Sequence, residues 1–216
     1  MEKKKAEEQE NFDLVEKARE NRKSIIWISV AVIALVAACI IWYLVAQAGS
    51  RKADEAIGRA DIEMTNDSLA TSLYAEAANC GYRSGNRAKA MMGIRLYQEG
   101  KYAEAAEYLG DCSLDDEVAA AGVKILEGDC YVNLENYDKA LSCYRKAIDK
   151  ADENPMVVPF VLVKEANVYR AQQNYKEEAK ALKTIIDEYP QYQAQGINLE
   201  ALYQRAQTMA DNAAAE

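Results

Sequence analysis

Histidine is absent from all 216 residues. That excludes Ser-His-Asp and Cys-His nucleophilic systems and every zinc site that needs an imidazole. Proline and glycine are scarce, at three and ten. So few breakers argue against a sandwich or barrel of short strands and favour an all-α chain. The five cysteines, at 39, 80, 112, 130 and 143, form no C-x-x-C pair. A thioredoxin-like motif and a zinc ribbon are therefore both missing. Positive charge is in the minority, 26 Lys and Arg against 35 Asp and Glu, for a net −9. Such a chain repels phosphate backbones, so nucleic acid is disfavoured as a partner. With no phosphate loop either, the expectation is no enzyme, no catalytic residue, no metal, no cofactor and no small-molecule substrate.

What is present begins with one long apolar run. Ile25 to Ala46, IIWISVAVIALVAACIIWYLVA, carries no charge, and twelve of its side chains are Ile, Leu or Val. As a helix the run spans roughly 33 Å, against a bilayer core of about 30 Å. Those Ile, Leu and Val side chains alone favour insertion by about 4 to 7 kcal/mol. Trp27 lies near one end and Trp42 and Tyr43 near the other, where interfacial aromatics belong. A buried soluble helix of this length would show a polar face, and this one has none.

Two cleavage signals compete with an uncleaved anchor. Ala46-Gln47-Ala48 resembles a signal-peptidase site, and Val36-Ala37-Ala38-Cys39 resembles a lipobox. Both are disfavoured because the run begins as late as Ile25 and outlasts the apolar core of a signal peptide. Lys17, Arg19, Arg22 and Lys23 on the N-terminal side outnumber Arg51, Lys52 and Arg59 on the other. The bias predicts a cytoplasmic N-terminus and a C-terminal domain outside.

Five segments follow: a charged tail over 1–24, a transmembrane helix over 25–46, a lead-in helical hairpin over 47–85, three repeats over 86–193, and a capping helix with its tail over 194–216. Gly49-Ser50 predicts a short break. Ala53, Ala56, Ile57, Ala60 and Met64 then fall on one helical face, and Leu69, Ala70, Leu73, Tyr74 and Ala77 on another. Thr65-Asn66-Asp67-Ser68 reads as the turn between them, and Gly81 and Gly85 as the end of the pair.

The second half writes one pattern three times: Gly93 … Tyr102-x-x-Ala105, Gly128 … Tyr137-x-x-Ala140, and Ala166 … Tyr175-x-x-Glu178. The second interval is three positions longer than the first, with Pro155 and Pro159 bracketing the extra length. A period in this range marks stacked helical hairpins, at about 86–119, 121–154 and 159–192. Small residues let two helices approach, and the tyrosines fill the space to the next hairpin. Glu178 breaks the pattern where a small residue is expected; a shifted register placing Ala179 there would compensate. Residues Ile197 to Met209 read as a last helix covering the array.

These residues resemble the tetratricopeptide repeat. ILEGDCYVNLENYDKALSCYRKAI (125–148) carries Gly128, Tyr131, Tyr137, Ala140, Tyr144 and Ala147 at the expected places. IRLYQEGKYAEAAEYL (94–109) is nearly as close, with Cys112 in place of the second small alanine. The resemblance implies an α-solenoid whose first helices line a concave groove. It implies that Arg87, Ile94, Tyr97 and Gln98 face the groove from the first repeat, Ile125, Asp129 and Asn133 from the second, and Phe160, Asn167 and Arg170 from the third. Apolar, amide and charged groups so mixed suit an extended peptide or a helix. The layout of basic tail, membrane helix, lead-in and repeats is similar to the YfgM-like ancillary subunits of the bacterial Sec translocon. Ala88 to about Gln204 is also similar to tetratricopeptide proteins of the Bacteroidetes envelope. Those likenesses imply a single-pass inner-membrane protein with a periplasmic repeat domain. Its partners would be proteins: the translocon, periplasmic chaperones or client polypeptides. The alternative is a structural subunit held through its membrane helix, with the groove unused.

Two smaller features carry bland readings. Cys112 and Cys130 could come close enough for a disulfide, but small buried hydrophobes are favoured. Asp115-Asp116-Glu117 lacks the alternation of a calcium loop and suits a helix start.

Overall fold

The computed structural model describes residues 22–63, 67–80, 82–193 and 196–215. The tail before Arg22, Met64 with the Thr65-Asn66 part of the predicted turn, and Gly81 lie outside them. Every regular element described is a helix. α1 runs Arg22–Ile62, α2 Asp67–Ala78, α3 Tyr82–Gln98, α4 Tyr102–Gly110, α5 Glu117–Asn133, α6 Tyr137–Lys150, α7 Val157–Ala171, α8 Tyr175–Glu188 and α9 Leu199–Ala215. The chain divides into two compact units between Ala48 and Gly49, within α1.

In the first unit, the large apolar side chains from Ile26 to Val45 are exposed, Trp27 to 72 % and Trp42 to 68 %. None of this stretch is buried in protein. A soluble core helix would be covered; this one is long and apolar enough to cross a membrane.

Gly49 and Ser50 do not break α1. One glycine costs a helix interior about 1 kcal/mol, too little to end a helix with propagating turns on both sides. In the second unit, residues from Gly49 onward turn Ala53, Ala56, Ile57 and Ala60 into the core against Leu73, Tyr74 and Ala77 of α2. Tyr74 Oη donates to Asp61 at 2.5 Å, and the Ser50 and Ser84 hydroxyls meet at 3.0 Å. Gly85, expected to end the lead-in pair, instead lies buried inside α3, which begins four residues before the predicted first repeat.

The three repeats close their inner turns identically. Backbone N–H groups of Lys101, Asn136 and Asn174 reach back to the carbonyls of Leu96, Tyr131 and Tyr169 at 2.8–2.9 Å. Those of Gly100, Glu135 and Gln173 reach Tyr97, Val132 and Arg170 at 3.0 Å. This paired closure needs a left-handed residue, and φ is +76° at Gly100, +56° at Glu135 and +59° at Gln173. Asn136 and Asn174 then serve twice. Their side chains accept from the N–H groups of Lys139 and Glu177, so each residue that closes one helix also caps the next.

Candidate protein-binding groove

Each repeat places a small residue of its first helix under a large residue sixteen positions later. A Cβ built on Gly93 would sit 2.5 Å from Leu109 Cγ, and one on Gly128 would run closer still to Tyr144 Cε1. In the third repeat Ala166 and Leu182 share one buried cluster. The same contact in each repeat lines up α3, α5 and α7 as neighbours and turns one face of each away from its partner helix.

The ten predicted groove residues fall into two groups. Arg87, Ile94, Gln98, Asn133, Phe160 and Asn167 are exposed. Arg87 pairs with Asp61 at 3.3 Å. The Asn133 amide donates to the Asp129 carbonyl on its own helix at 2.8 Å. The other four are half-buried. Tyr97 stacks edge-on against Tyr102, with ring centres 5.4 Å apart. Ile125 packs into the cluster of Ala140, Tyr144 and Val161. Asp129 and Arg170 are held in ionic networks.

Asp129 is the centre of the first network. Tyr144 Oη donates to it at 2.6 Å, and Lys164 Nζ reaches both its oxygens at 2.9 Å. One carboxylate thus ties α5, α6 and α7 together. Burial, and then the adjacent Asp129 charge, push the Tyr144 hydroxyl far above the usual tyrosine range, so it stays a donor. Lys164 Nζ also stands 5.2 Å over the Phe160 ring. Lys164 and Tyr144 were not singled out as groove residues; Lys164 occupies the register of Leu126 and Met91, and that change of type was the signal.

Arg170 stands in the register of Tyr97 and Val132. Its Nε donates to Glu178 Oε1 at 2.8 Å, and Arg205 of α9 reaches the same oxygen at 2.5 Å. Glu178 is 0 % exposed. No shifted register brings Ala179 into its place: α8 begins at Tyr175 just as α6 begins at Tyr137, so Glu178 fills the position of Ala105 and Ala140. The carboxylate is accommodated by two guanidinium groups.

Two cavities open beside these networks. One of about 220 Å³ is lined by Asp129, Val132, Tyr137, Lys164 and Asn167. The other, about 370 Å³, is lined by Val163, Asn167, Arg170, Leu182, Ile197 and Leu202. Asn167 borders both, so two largely apolar recesses adjoin at one amide.

The cysteines outside α1 are free thiols. Cys112 donates to the Asn86 carbonyl at 3.1 Å rather than bonding Cys130. Burial, with Asp129 beside Cys130 and Glu127 beside Cys143, pushes both those thiols up to about 12. They are packing groups at neutral pH. Asp116 caps α5 by accepting from Ala119 N–H at 2.8 Å. Among the described residues, no three Cys, Asp or Glu side chains gather as a metal site.

No curated protein sequence matches the chain significantly. The tetratricopeptide repeat model matches residues 121–154, which hold all of α5 after its first turn, all of α6 and the loop that follows. The hairpin that carries Gly128 under Tyr144 thus matches a tetratricopeptide repeat, in an all-α, solenoid-like chain that also has one helix long and apolar enough to cross a membrane.

Proposed function

We propose that this protein is a non-enzymatic scaffold, anchored by α1, that holds protein segments in the groove of α3, α5 and α7. The observation that carries this reading is the recurrence of one small-under-large contact at Gly93, Gly128 and Ala166, which sets three first helices side by side with Ile94, Gln98, Asn133, Phe160 and Asn167 exposed. Helical repeats of this kind generally serve protein–protein contacts through such concave faces. The adjoining, largely apolar recesses at Asn167 suit successive apolar side chains of one bound segment.

The finer assignment rests on sequence. The basic bias before Ile25 supports a cytoplasmic N-terminus and a groove on the periplasmic side of the inner membrane. The likeness of layout to Sec translocon accessory subunits supports client chains, the translocon or periplasmic chaperones as partners. Photo-crosslinkers at Ile94, Gln98 and Asn167 in cells should capture partners, and Tyr97→Ala with Phe160→Ala should release them. Unchanged capture by that double variant would defeat the groove reading.

A second reading has its own observation. Ala34 and Ala38 stand one turn apart on the exposed apolar stretch, the small-residue spacing that lets membrane helices pack closely. A structural subunit held there would lose its complex when residues 25–46 are replaced by an unrelated membrane helix. A groove-held one would keep it.

A further inference from the structure

Asn167 of α7 is the residue that the two recesses of the groove share. The cavity of about 220 Å³ lies between α7 and the preceding hairpin, with Val132, Tyr137, Val168 and Ala171 as apolar walls. The cavity of about 370 Å³ lies between α7 and the helices that follow, walled by Val163, Leu182, Ile197, Ala201 and Leu202.

The charges at both recesses are already matched. Among the described lining residues they are Asp129 and Lys164, paired at 2.9 Å, and Arg170, paired with Glu178 at 2.8 Å. A charged side chain entering either recess would shed its water and find no free counter-charge. The Asn167 carboxamide differs. It stands in the register of Asp129, is exposed, and has no hydrogen-bond partner among the described residues.

A carboxamide carries a donor and an acceptor side by side, the complement of a peptide group. A helix interior cannot supply that complement, because its N–H and C=O groups bond one another. A chain in the polyproline II conformation can, since it has no internal hydrogen bonds. Its geometry matches as well. At about 3.1 Å per residue and three residues per turn, positions i and i+3 share a face about 9 Å apart. Packed helices stand about 8–10 Å apart, which sets the step across α7 from one recess to the other.

We infer that Asn167 clasps the backbone of an extended, uncharged segment of a partner polypeptide, whose apolar side chains at i and i+3 fill the two recesses. This deepens the groove reading and rests on it. It commits the occupant to an extended chain, in place of an amphipathic helix or a charged tail.

The test uses the full-length protein in neutral detergent micelles and the labelled peptide Pro-Leu-Gln-Ser-Leu-Pro. Three peptides serve as comparison: one N-methylated at Gln and Ser, one with Lys for both Leu, and a helical one with leucines two turns apart. Ala171→Phe and Ala201→Phe, exposed positions that each fill one recess, should weaken the parent peptide at least about fivefold by anisotropy. Asn167→Ala should weaken it about three- to tenfold, the loss of one or two hydrogen bonds. N-methylation should weaken binding to the wild type by a similar factor and leave binding to Asn167→Ala nearly unchanged, a coupling that damage to the fold does not imitate. The Lys peptide should bind at least about tenfold less tightly than the parent. The inference is overturned if N-methylation acts equally on wild type and Asn167→Ala, if the helical peptide binds more tightly, or if filling both recesses changes nothing. Crosslinks from Ile94 and Gln98 that persist beside such a result leave the groove reading standing with another occupant; that reading falls by its own Tyr97→Ala, Phe160→Ala variant.

Discussion

The second and third repeats share a register and differ in how they fill it. Around Gly128 the seam is apolar and tight: a glycine under a buried tyrosine ring, with Ala140 fully covered. Around Ala166 the matching alanine is replaced by Glu178, buried and held by Arg170 and Arg205. The contrast teaches that hairpin register belongs to the turn and to the small-under-large contact, not to the residue type at each seam position. Both repeats keep the Asn-Tyr turn and the same helix start, and the seam adapts by steric fit in one and charge pairing in the other.

The comparison breaks most severely at Gly128. Gly128→Val should cost about 3 kcal/mol or more in urea unfolding, because the Tyr144 ring cannot leave a filled seam. Gly93→Val should cost less, since Leu109 can change rotamer. Equal losses would mean that the ring is not the obstacle.

Glu178→Ala comes next. It restores the residue type of the other repeats but strands two guanidinium groups, and should cost about 2 kcal/mol, part of the penalty of a broken buried pair because both arginines are partly exposed. Adding Arg170→Val, the residue type of Val132, should recover most of that loss. A double variant no more stable than Glu178→Ala would show the third seam to be ionic by necessity.

Glu165 sharpens the comparison more gently. It stands in the register of Glu127, which Lys124 neutralises at 2.6 Å, but its own Oε1 has no hydrogen-bond partner. Burial raises the Glu165 carboxyl above its ordinary 4.5, partly offset by Arg145. A carboxyl that holds its proton more tightly when folded contributes stability below 4.5, and that contribution is lost as pH rises through the folded value. Glu165→Gln should therefore unfold like the wild type at low pH and be more stable by about 1 kcal/mol at pH 7. Paired melting curves at the two pH values would read the difference.

The smallest expected effect lies at the turns. Glu135 and Gln173 take the left-handed conformation that Gly100 adopts without strain. Glu135→Gly should stabilise by no more than about 1 kcal/mol, the relief of strain less the entropy glycine brings to the unfolded chain. A destabilised variant would point to a side-chain role for Glu135.

The sequence made the scaffold readable because the seam demands particular sizes. Gly93, Gly128 and the tyrosines at 102, 137 and 175 are set by steric fit, which leaves a periodic trace. Glu178 hid because its tolerance depends on Arg205, 27 positions away on another helix. Gly49-Ser50 misled for the opposite reason: a local weakness was overridden by the helix around it. The groove was legible as a face but not as a set of contacts. Whether Asp129 offers a free carboxylate or a filled one depends on Lys164, and no spacing rule links the two.

The doubled duty of Asn136 and Asn174 has a consequence for how such a chain can grow. A residue that ends one helix and starts the next leaves no slack, so the inner turn tolerates no insertion. Length can change only outside that turn: the outer loops Asp111–Asp116 and Ala151–Met156 are equally long, and the longer second interval is taken up in α6, which runs 14 residues against the 9 of α4. Whole hairpins can be spliced at those joints, each adding one more first helix to the row of α3, α5 and α7. The turn that looks like a minor closure is thus the grammar of the array: it makes the hairpin the unit of inheritance and the groove's length the quantity that can vary.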